Sequence, residues 1–198
     1  MTASKRNVRR EAKSIIEDRF FADLEDMIVS RLHSEADADE GHAELIRSTG
    51  IHDKQLIAEL VDLGITAEGL MALRLLPLVL VAWAENRVDE QERISVMTEA
   101  SRLGIQDDSV AAVLLHEWLR KLPHGESIDA WKRFMHGVFQ GMSEVAQNKL
   151  IEATEQQMTA VAKASGGHLG IGKVSTKEKQ MIEGLTFALR KQTKGTER

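Results

Sequence analysis

Residues 70–93, LMALRLLPLVLVAWAENRVDEQER, predict a buried helix, a tight acidic turn and the start of a second helix. The first fifteen of these residues are interrupted only by Arg74 and Pro77. Because proline removes one backbone donor and clashes with the preceding turn, we expect the helix to kink or split near Leu76. A bilayer span needs about 20 apolar residues, so this shorter run predicts a core helix instead.

The second helix has a strong start signal at Asp89. The Asp89 carboxylate can accept hydrogen bonds from the free N–H groups of the new helix, and Glu92 can reach back to the Asp89 N–H. Asn86 can adopt a left-handed backbone conformation, which suits the exit from the first helix. The turn is therefore predicted to end in a capping box.

A similar turn recurs 86 positions later, where Val174 matches Val88. Ser175 and Glu178 have the spacing of a second capping box. The two matching turns predict two related helical halves, with a chance match of short segments as the alternative.

Composition favours helices throughout and excludes several kinds of site. The chain has 198 residues, 42% of them apolar, with no tyrosine and two prolines, which suits one medium domain or two closely packed halves. The absence of cysteine excludes disulfides, thiolate zinc sites and cysteine catalysis, and fits a cytoplasmic location. A net charge of −5 gives no reason to expect nucleic acid, and we expect neither a secretory signal nor membrane association.

The N-terminal part predicts a long amphipathic helix over residues 14–32. We expect its apolar stripe to lie on the core, with a dimerisation or partner face as the alternative. The predicted organisation is an N-terminal helical extension at 1–60, a helical domain at 61–192 and a disordered tail at 193–198. The stripe consists of Ile16, Phe20, Leu24, Met27, Ile28 and Leu32.

Three Gly-Ile pairs, at 50–51, 64–65 and 104–105, each follow a helical segment. Glycine supplies the left-handed residue of a Schellman motif and the isoleucine packs on the last turn. Asp53, Thr66 and either Asp107 or Asp108 are then expected to cap the following helices. In the helix after Asp89, the residues predicted to face inward are Ile94, Met97, Ala100 and Leu103.

Glu85, Asp89 and Glu92 form the leading candidate site. Three carboxylates near two helix ends could bind a divalent cation, calcium or magnesium, with water or backbone carbonyls completing the shell. In the alternative interpretation, Asp89 and Glu92 are only helix caps and Glu85 is solvated. No catalytic residue is predicted, because the sequence has no HExxH motif and no serine nucleophile elbow.

Residues 167–173, GHLGIGK, fit the first seven positions of a phosphate-binding P-loop. The eighth position should be Ser or Thr but is Val174, and the segment follows a helix rather than a strand. We interpret it as a glycine-rich connector. A weaker anion site at the start of the last helix, with Lys173, is the alternative.

The segment VLVAWAENRVDEQER, residues 79–93, resembles the TerB-like (tellurite-resistance protein B) helical domain. In that family a helix ends in Ala-Asp-Gly, and an apolar residue, an acid or Ser, and Glu follow at the start of the next helix. The family occurs mostly in bacteria and as a module in some co-chaperones. The resemblance covers residues 62–190. Here Glu85-Asn86 replaces Asp-Gly, and Ser175 replaces the acid of the second copy.

The resemblance implies an all-α bundle of about eight helices in two loosely repeated halves. It further implies a non-enzymatic stress-response or protein-interaction domain, with a protein partner or self-association and an acidic turn. One alternative is a metal-dependent helical hydrolase, which would require His116 or His136 beside Glu85. Another is a dimeric or membrane-associated scaffold that uses the N-terminal helix.

Overall fold

The structure, a computed structural model, describes residues 69–165 and 174–193, together with residues 41, 43, 57, 58, 60, 61 and 65–67. The predicted all-α class is confirmed over the two continuous ranges, which contain helices and no strand. The predicted helix at 14–32, the Gly-Ile pair at 50–51, Asp53, and the segment 167–173 with Lys173 lie outside the described residues. These two ranges hold seven helices, α1 (Leu70–Arg74), α2 (Leu76–Ala82), α3 (Glu90–Arg102), α4 (Val110–Arg120), α5 (Gly125–Gln140), α6 (Glu144–Ser165) and α7 (Thr176–Thr193).

Helix α2 is the centre of the fold. All seven of its residues, LPLVLVA, are buried, because the segment contains no polar side chain to present to water. Helices α3, α4, α6 and α7 pack around it. The prediction of a buried core helix is confirmed. No helix in the described part of the chain is both long and apolar enough to span a bilayer.

Pro77 divides the apolar run as predicted. Helix α1 ends at Arg74, and Leu75 links it to α2 with φ −91° and ψ 0°. Pro77 then lies in the first turn of α2, where its missing N–H would have had no intrahelical acceptor. The proline therefore starts the central helix rather than weakening its interior.

Two predicted left-handed positions are confirmed. Asn86 has φ 64° in the turn after α2, and Gly104 has φ 86° after α3. Beyond Gly104, the N–H of Ile105 donates to the carbonyl of Ala100 at 3.0 Å and the N–H of Gly104 donates to that of Ser101 at 3.0 Å. This pair of bonds is the predicted Schellman motif.

The predicted inward face of α3 is partly wrong. Ile94 is 49% exposed, whereas Val96 is fully buried. Glu99 is also buried, because its carboxylate accepts a hydrogen bond from Nε2 of Gln157 on α6 at 3.1 Å and pairs with Arg102. A buried carboxylate with two such partners is stable in the interior. The buried face of α3 therefore includes Glu99 and excludes Ile94, which apolar periodicity had assigned to it.

The cap of α4 also differs from the prediction. Ser109 is the N-cap, and its Oγ accepts from the N–H of Ala112 at 3.2 Å. Asp107 and Asp108 are exposed in the preceding turn. The serine after the two predicted aspartates therefore takes the cap position, and the helix begins at Val110.

Helices α5 and α7 contact each other near their C-terminal ends. His136 Nδ1, close to the end of α5, lies 3.2 Å from the carbonyl oxygen of Gln192, close to the end of α7. The two helices also pack extensively against each other. Helix α6 lies between them in the chain, and its residues Ile151, Thr154, Met158 and Val161 are buried.

Candidate acidic site at two helix starts

The first predicted capping box is present at the start of α3. The backbone N–H of Glu92 donates to Oδ1 of Asp89 at 2.8 Å, and the backbone N–H of Asp89 donates to Oε2 of Glu92 at 2.8 Å. Asp89 is half-buried, but Glu92 is only 4% exposed. A carboxylate that needs only to cap a helix can remain in water, so the burial of Glu92 requires a further explanation.

The second capping box is present at the start of α7. The N–H of Ser175 donates to Oε2 of Glu178 at 2.6 Å, and the N–H of Glu178 donates to Oγ of Ser175 at 3.3 Å. Glu178 is 1% exposed. The matching residues Val88 and Val174 are both half-buried and pack on the same core. The two turns that match in sequence therefore share their bonding, their burial and their core.

The two capping glutamates are close enough to interact. Burial raises the pKa of Glu92 from 4.5 to about 7, the bond from the Asp89 N–H lowers it, and the negative charges of Asp89, Glu178 and Glu85 raise it further. The contribution of Glu178 comes from the other capping box. The starts of α3 and α7 thus bring a second buried carboxylate to the predicted acidic turn.

The carboxylates extend from the surface into the core. Glu85 is exposed, Asp89 is half-buried, and Glu92 and Glu178 are buried. With a pKa near 7, Glu92 exchanges a proton around neutral pH, and it becomes a ligand for a hard cation only after losing that proton.

A metal site at Glu85, Asp89 and Glu92 stays a prediction. Nowhere in the described ranges do three or more His, Asp or Glu side chains form a group that could hold a metal ion. A cation at the predicted triad would therefore require these side chains to move from their present positions.

The turn between α2 and α3 is anchored to the end of α4. Nε1 of Trp83 donates to the carbonyl of Trp118 at 2.8 Å, and Nη2 of Arg93 donates to the carbonyl of Leu119 at 3.4 Å. These carbonyls belong to the last turn of α4, where no N–H of the same helix is available to them. The turn that carries the acidic residues is therefore fixed from both sides.

The candidate histidine His136 lies away from the acidic site. Its Nδ1 contacts the carbonyl of Gln192, and its Nε2 lies 3.3 Å from Nε2 of Gln140. Gln192 is fourteen residues after Glu178 on the same helix, which corresponds to about 21 Å along the axis. His116 is half-buried on α4 and belongs to no metal-binding group among the residues described.

Sequence reasoning found each capping box but did not place Glu178 beside Glu92. The available signal was the match between the two turns, which makes Glu178 the counterpart of Glu92. Sequence reasoning also did not identify Trp83 and Arg93 as donors to α4. The bond of Trp83 spans 35 positions of the chain and that of Arg93 spans 26, so no local pattern indicates them. Comparisons of the chain with protein-family models, with curated proteins and with solved structures find no match.

Proposed function

We propose that the chain is a non-enzymatic, TerB-like interaction or stress-response domain whose acidic turn takes up a divalent cation, calcium or magnesium. The observation that carries the proposal is that two capping glutamates, Glu92 and Glu178, are buried and that the charge of Glu178 raises the pKa of Glu92. Two buried carboxylates near each other repel when both are ionised, so a bound proton or cation stabilises the pair. As part of the same proposal, the domain is cytoplasmic, binds a protein partner or itself, and does not bind nucleic acid.

The packing supports two related halves, α2 with α3 and α6 with α7. Helix α2 packs against α6, α3 packs against α6, and α7 packs against α2. If α2 is exchanged with α6 and α3 with α7, the same three contacts result. It is the arrangement expected for an internal repeat, and it agrees with the family resemblance of residues 79–93.

The surroundings of the acidic site favour binding over catalysis. A hydrolase would need a general base or a nucleophile beside the carboxylates, and His136 is bonded at the far end of α7 instead. Trp83 and Arg93 hold the turn in place through backbone carbonyls of α4. A fixed turn with a proton-binding carboxylate is suited to reversible ligand uptake.

Cation binding is expected to compete with the proton on Glu92. A ligand carboxylate must lose its proton before it binds a metal, so affinity should rise as the pH passes through about 7. This coupling distinguishes the proposed site from a surface cluster of ordinary carboxylates, whose protons are already lost at pH 6.

The proposal is tested by thermal unfolding and titration calorimetry of chelator-treated protein with CaCl₂ or MgCl₂, at pH 6 and pH 8. The test variant is Glu85→Gln/Asp89→Asn, which preserves helix capping because asparagine is as good an N-cap as aspartate. The matched control is Glu90→Gln, since Glu90 lies in the same turn and its side chain is 72% exposed.

For the intact chain, a cation at about 100 times its Kd should add about 2.7 kcal/mol of stability at pH 8. This corresponds to a rise in Tm of roughly 5–10 °C. The rise should shrink at pH 6, persist in the Glu90→Gln control and disappear in the double variant. If neither cation raises Tm at pH 8, the carboxylates are helix caps only and the cation part of the proposal is wrong.

Self-association is measured separately, by sedimentation of the intact chain over a range of concentrations with and without the cation. A monomer under both conditions would leave a protein partner as the remaining form of the proposed interaction.

A further inference from the structure

One side of α7 is exposed, basic and aromatic. The opposite side packs into the core through Ile182, Leu185 and Leu189. Because residues three, four and seven positions apart lie on the same side of a helix, the exposed residues of α7 form one continuous surface, the α7 outer face. Its charged and aromatic members are Lys177, Lys179, Glu183, Phe187, Arg190 and Lys191.

The charge of the α7 outer face is opposite to that of the whole chain. The face carries four positive residues and one negative residue, a net charge of +3, whereas the chain has a net charge of −5. The exposed charged residues of α3 sum to zero, as do those of α6, and those of α5 sum to −2. A surface of one sign attracts ligands of the other sign, so the α7 outer face suits an acidic partner.

Phe187 gives this basic surface an apolar centre. Its side chain is 60% exposed, and Nζ of Lys191 lies over the ring, 4.7 Å from the centroid. A single exposed phenylalanine needs no explanation by itself. An ammonium held against an aromatic ring, however, can meet a carboxylate while the rest of the ring contacts an apolar side chain. The two residues together offer a cationic and an apolar contact in one place.

The acidic neighbours neutralise the α7 outer face only in part. Nζ of Lys179 lies 3.9 Å from Oε1 of Glu183, and Nη2 of Arg190 lies 4.0 Å from Oε2 of Glu155. All four side chains are at least 45% exposed, and exposed ion pairs at such distances are weak. A carboxylate of a partner can therefore replace either acid with little loss.

We propose that the α7 outer face binds an acidic segment of a protein partner, in which carboxylates meet Arg190 and Lys191 and one apolar side chain covers Phe187. This inference rests on the protein-partner part of the proposed function and assigns a surface to it. The face extends over the 14 positions from Lys177 to Lys191, about 21 Å along the helix axis. That length corresponds to about six or seven residues of extended chain.

Glu183 favours a protein segment over a nucleic acid or an anionic membrane. It lies one helical turn before Phe187, within the α7 outer face. A protein segment can place a neutral or basic residue opposite this carboxylate, whereas a phosphate chain or an acidic lipid surface presents negative charge throughout. The apolar side of α7 is also buried in the core, which leaves Phe187 as the one large apolar side chain of this face for a membrane.

The test is a selection from a phage library of random peptides, about twelve residues long, with the intact chain as bait. A chelator is present throughout, so the result does not depend on the cation part of the proposed function. The selected peptides are then measured by fluorescence anisotropy against the intact chain and two variants. The face variant is Arg190→Gln/Lys191→Gln, and the matched control is Lys149→Gln/Lys163→Gln, which removes two exposed positive charges from α6.

The selected peptides should be negatively charged and should share an apolar residue. The face variant should bind them about tenfold more weakly than the intact chain, whereas the control should bind them equally well. Phe187→Ser should also weaken binding, and Phe187→Leu, which keeps an apolar side chain, should retain most of it. Raising the salt concentration should weaken binding to the intact chain, because exposed charges are screened.

Neutral or basic selected peptides, or none at all, would overturn the inference. Acidic peptides that bind the face variant as tightly as the intact chain would also overturn it, but the proposed function would stand with its partner site elsewhere. Vesicles of phosphatidylserine and phosphatidylcholine and a single-stranded oligonucleotide are measured in the same way. If either binds the intact chain more tightly than the peptides do and loses affinity for the face variant, the α7 outer face serves that ligand and the inference is wrong.

Discussion

Replacing Glu92 by glutamine should change how the stability of the protein depends on pH. Glutamine is neutral and nearly the same shape, and its side-chain oxygen can still accept from the Asp89 N–H that Glu92 accepts at 2.8 Å. The variant therefore keeps the capping box and removes the buried titrating group. We expect Glu92→Gln to be more stable than the intact chain above pH 7 and to lose this advantage at low pH.

The sign follows from the pKa of Glu92 in the two states. Because the folded pKa is raised from 4.5 to about 7, the folded state binds the proton more tightly than the unfolded state does. The stability contributed by this proton is fully present below pH 4.5 and is lost as the pH rises through about 7. A change in pKa from 4.5 to about 7 corresponds to about 3 kcal/mol.

The assay is urea denaturation of the intact chain and of Glu92→Gln at several pH values between 4.5 and 8.5. The free energy of unfolding of the intact chain, minus that of the variant, should fall by about 3 kcal/mol across this range. Taking the difference removes the contribution of every ionisable group that the two proteins share. Glu90→Gln, an exposed neighbour, should show no such trend.

A difference that stays constant between pH 4.5 and 8.5 would refute the reasoning. Glu92 would then have nearly the same pKa in the folded and unfolded states, and its burial beside Glu178 could not be unfavourable to the ionised form. A difference that rises with pH would show that a positive group dominates the surroundings of Glu92.

Three further predictions concern local features and are checked by thermal or chemical denaturation. Ser175→Ala should destabilise the protein by about 1 kcal/mol, because the N–H of Glu178 loses its acceptor, and Ser175→Thr, which keeps a hydroxyl, should restore most of this loss. Asn86→Val should cost about 1–2 kcal/mol at φ 64°, whereas Asn86→Gly should be tolerated; equal effects of the two changes would contradict the left-handed conformation. Ile94→Ser should change stability by about 0.5 kcal/mol or less, and Val96→Ala should destabilise the protein by clearly more. A larger loss for Ile94→Ser than for Val96→Ala would show that Ile94 faces inward, as predicted from the sequence.

The features that could be predicted from the sequence are those decided within a few residues. Asn86, the two capping boxes and the Gly104-Ile105 helix end were all correctly assigned, because each depends on bonds within one turn of the chain. The split at Pro77 belongs to the same class, since a missing N–H and a ring clash act locally.

The features that could not be predicted depend on contacts between distant segments. Apolar periodicity favoured Ile94 as a core residue, but the face of α3 turns toward Gln157 on α6, which stabilises the buried Glu99. The influence of Glu178 on the pKa of Glu92 likewise depends on how α3 and α7 are placed around α2. Spacing in the sequence shows that the two turns are alike but does not show that the charge of one acts on the other.

The burial of α2 by helices from distant parts of the chain has a consequence for protein synthesis. Its covering helix α7 follows about 100 residues later, and at about 5–20 residues per second the ribosome needs about 5–20 s to supply it. During that interval the uncharged segment LPLVLVA has emerged without its full set of packing partners. Such a segment binds other nascent chains or a holding chaperone through the same side chains that later form the core. The yield of folded protein in a cell should therefore depend on how fast the last third of the chain follows α2.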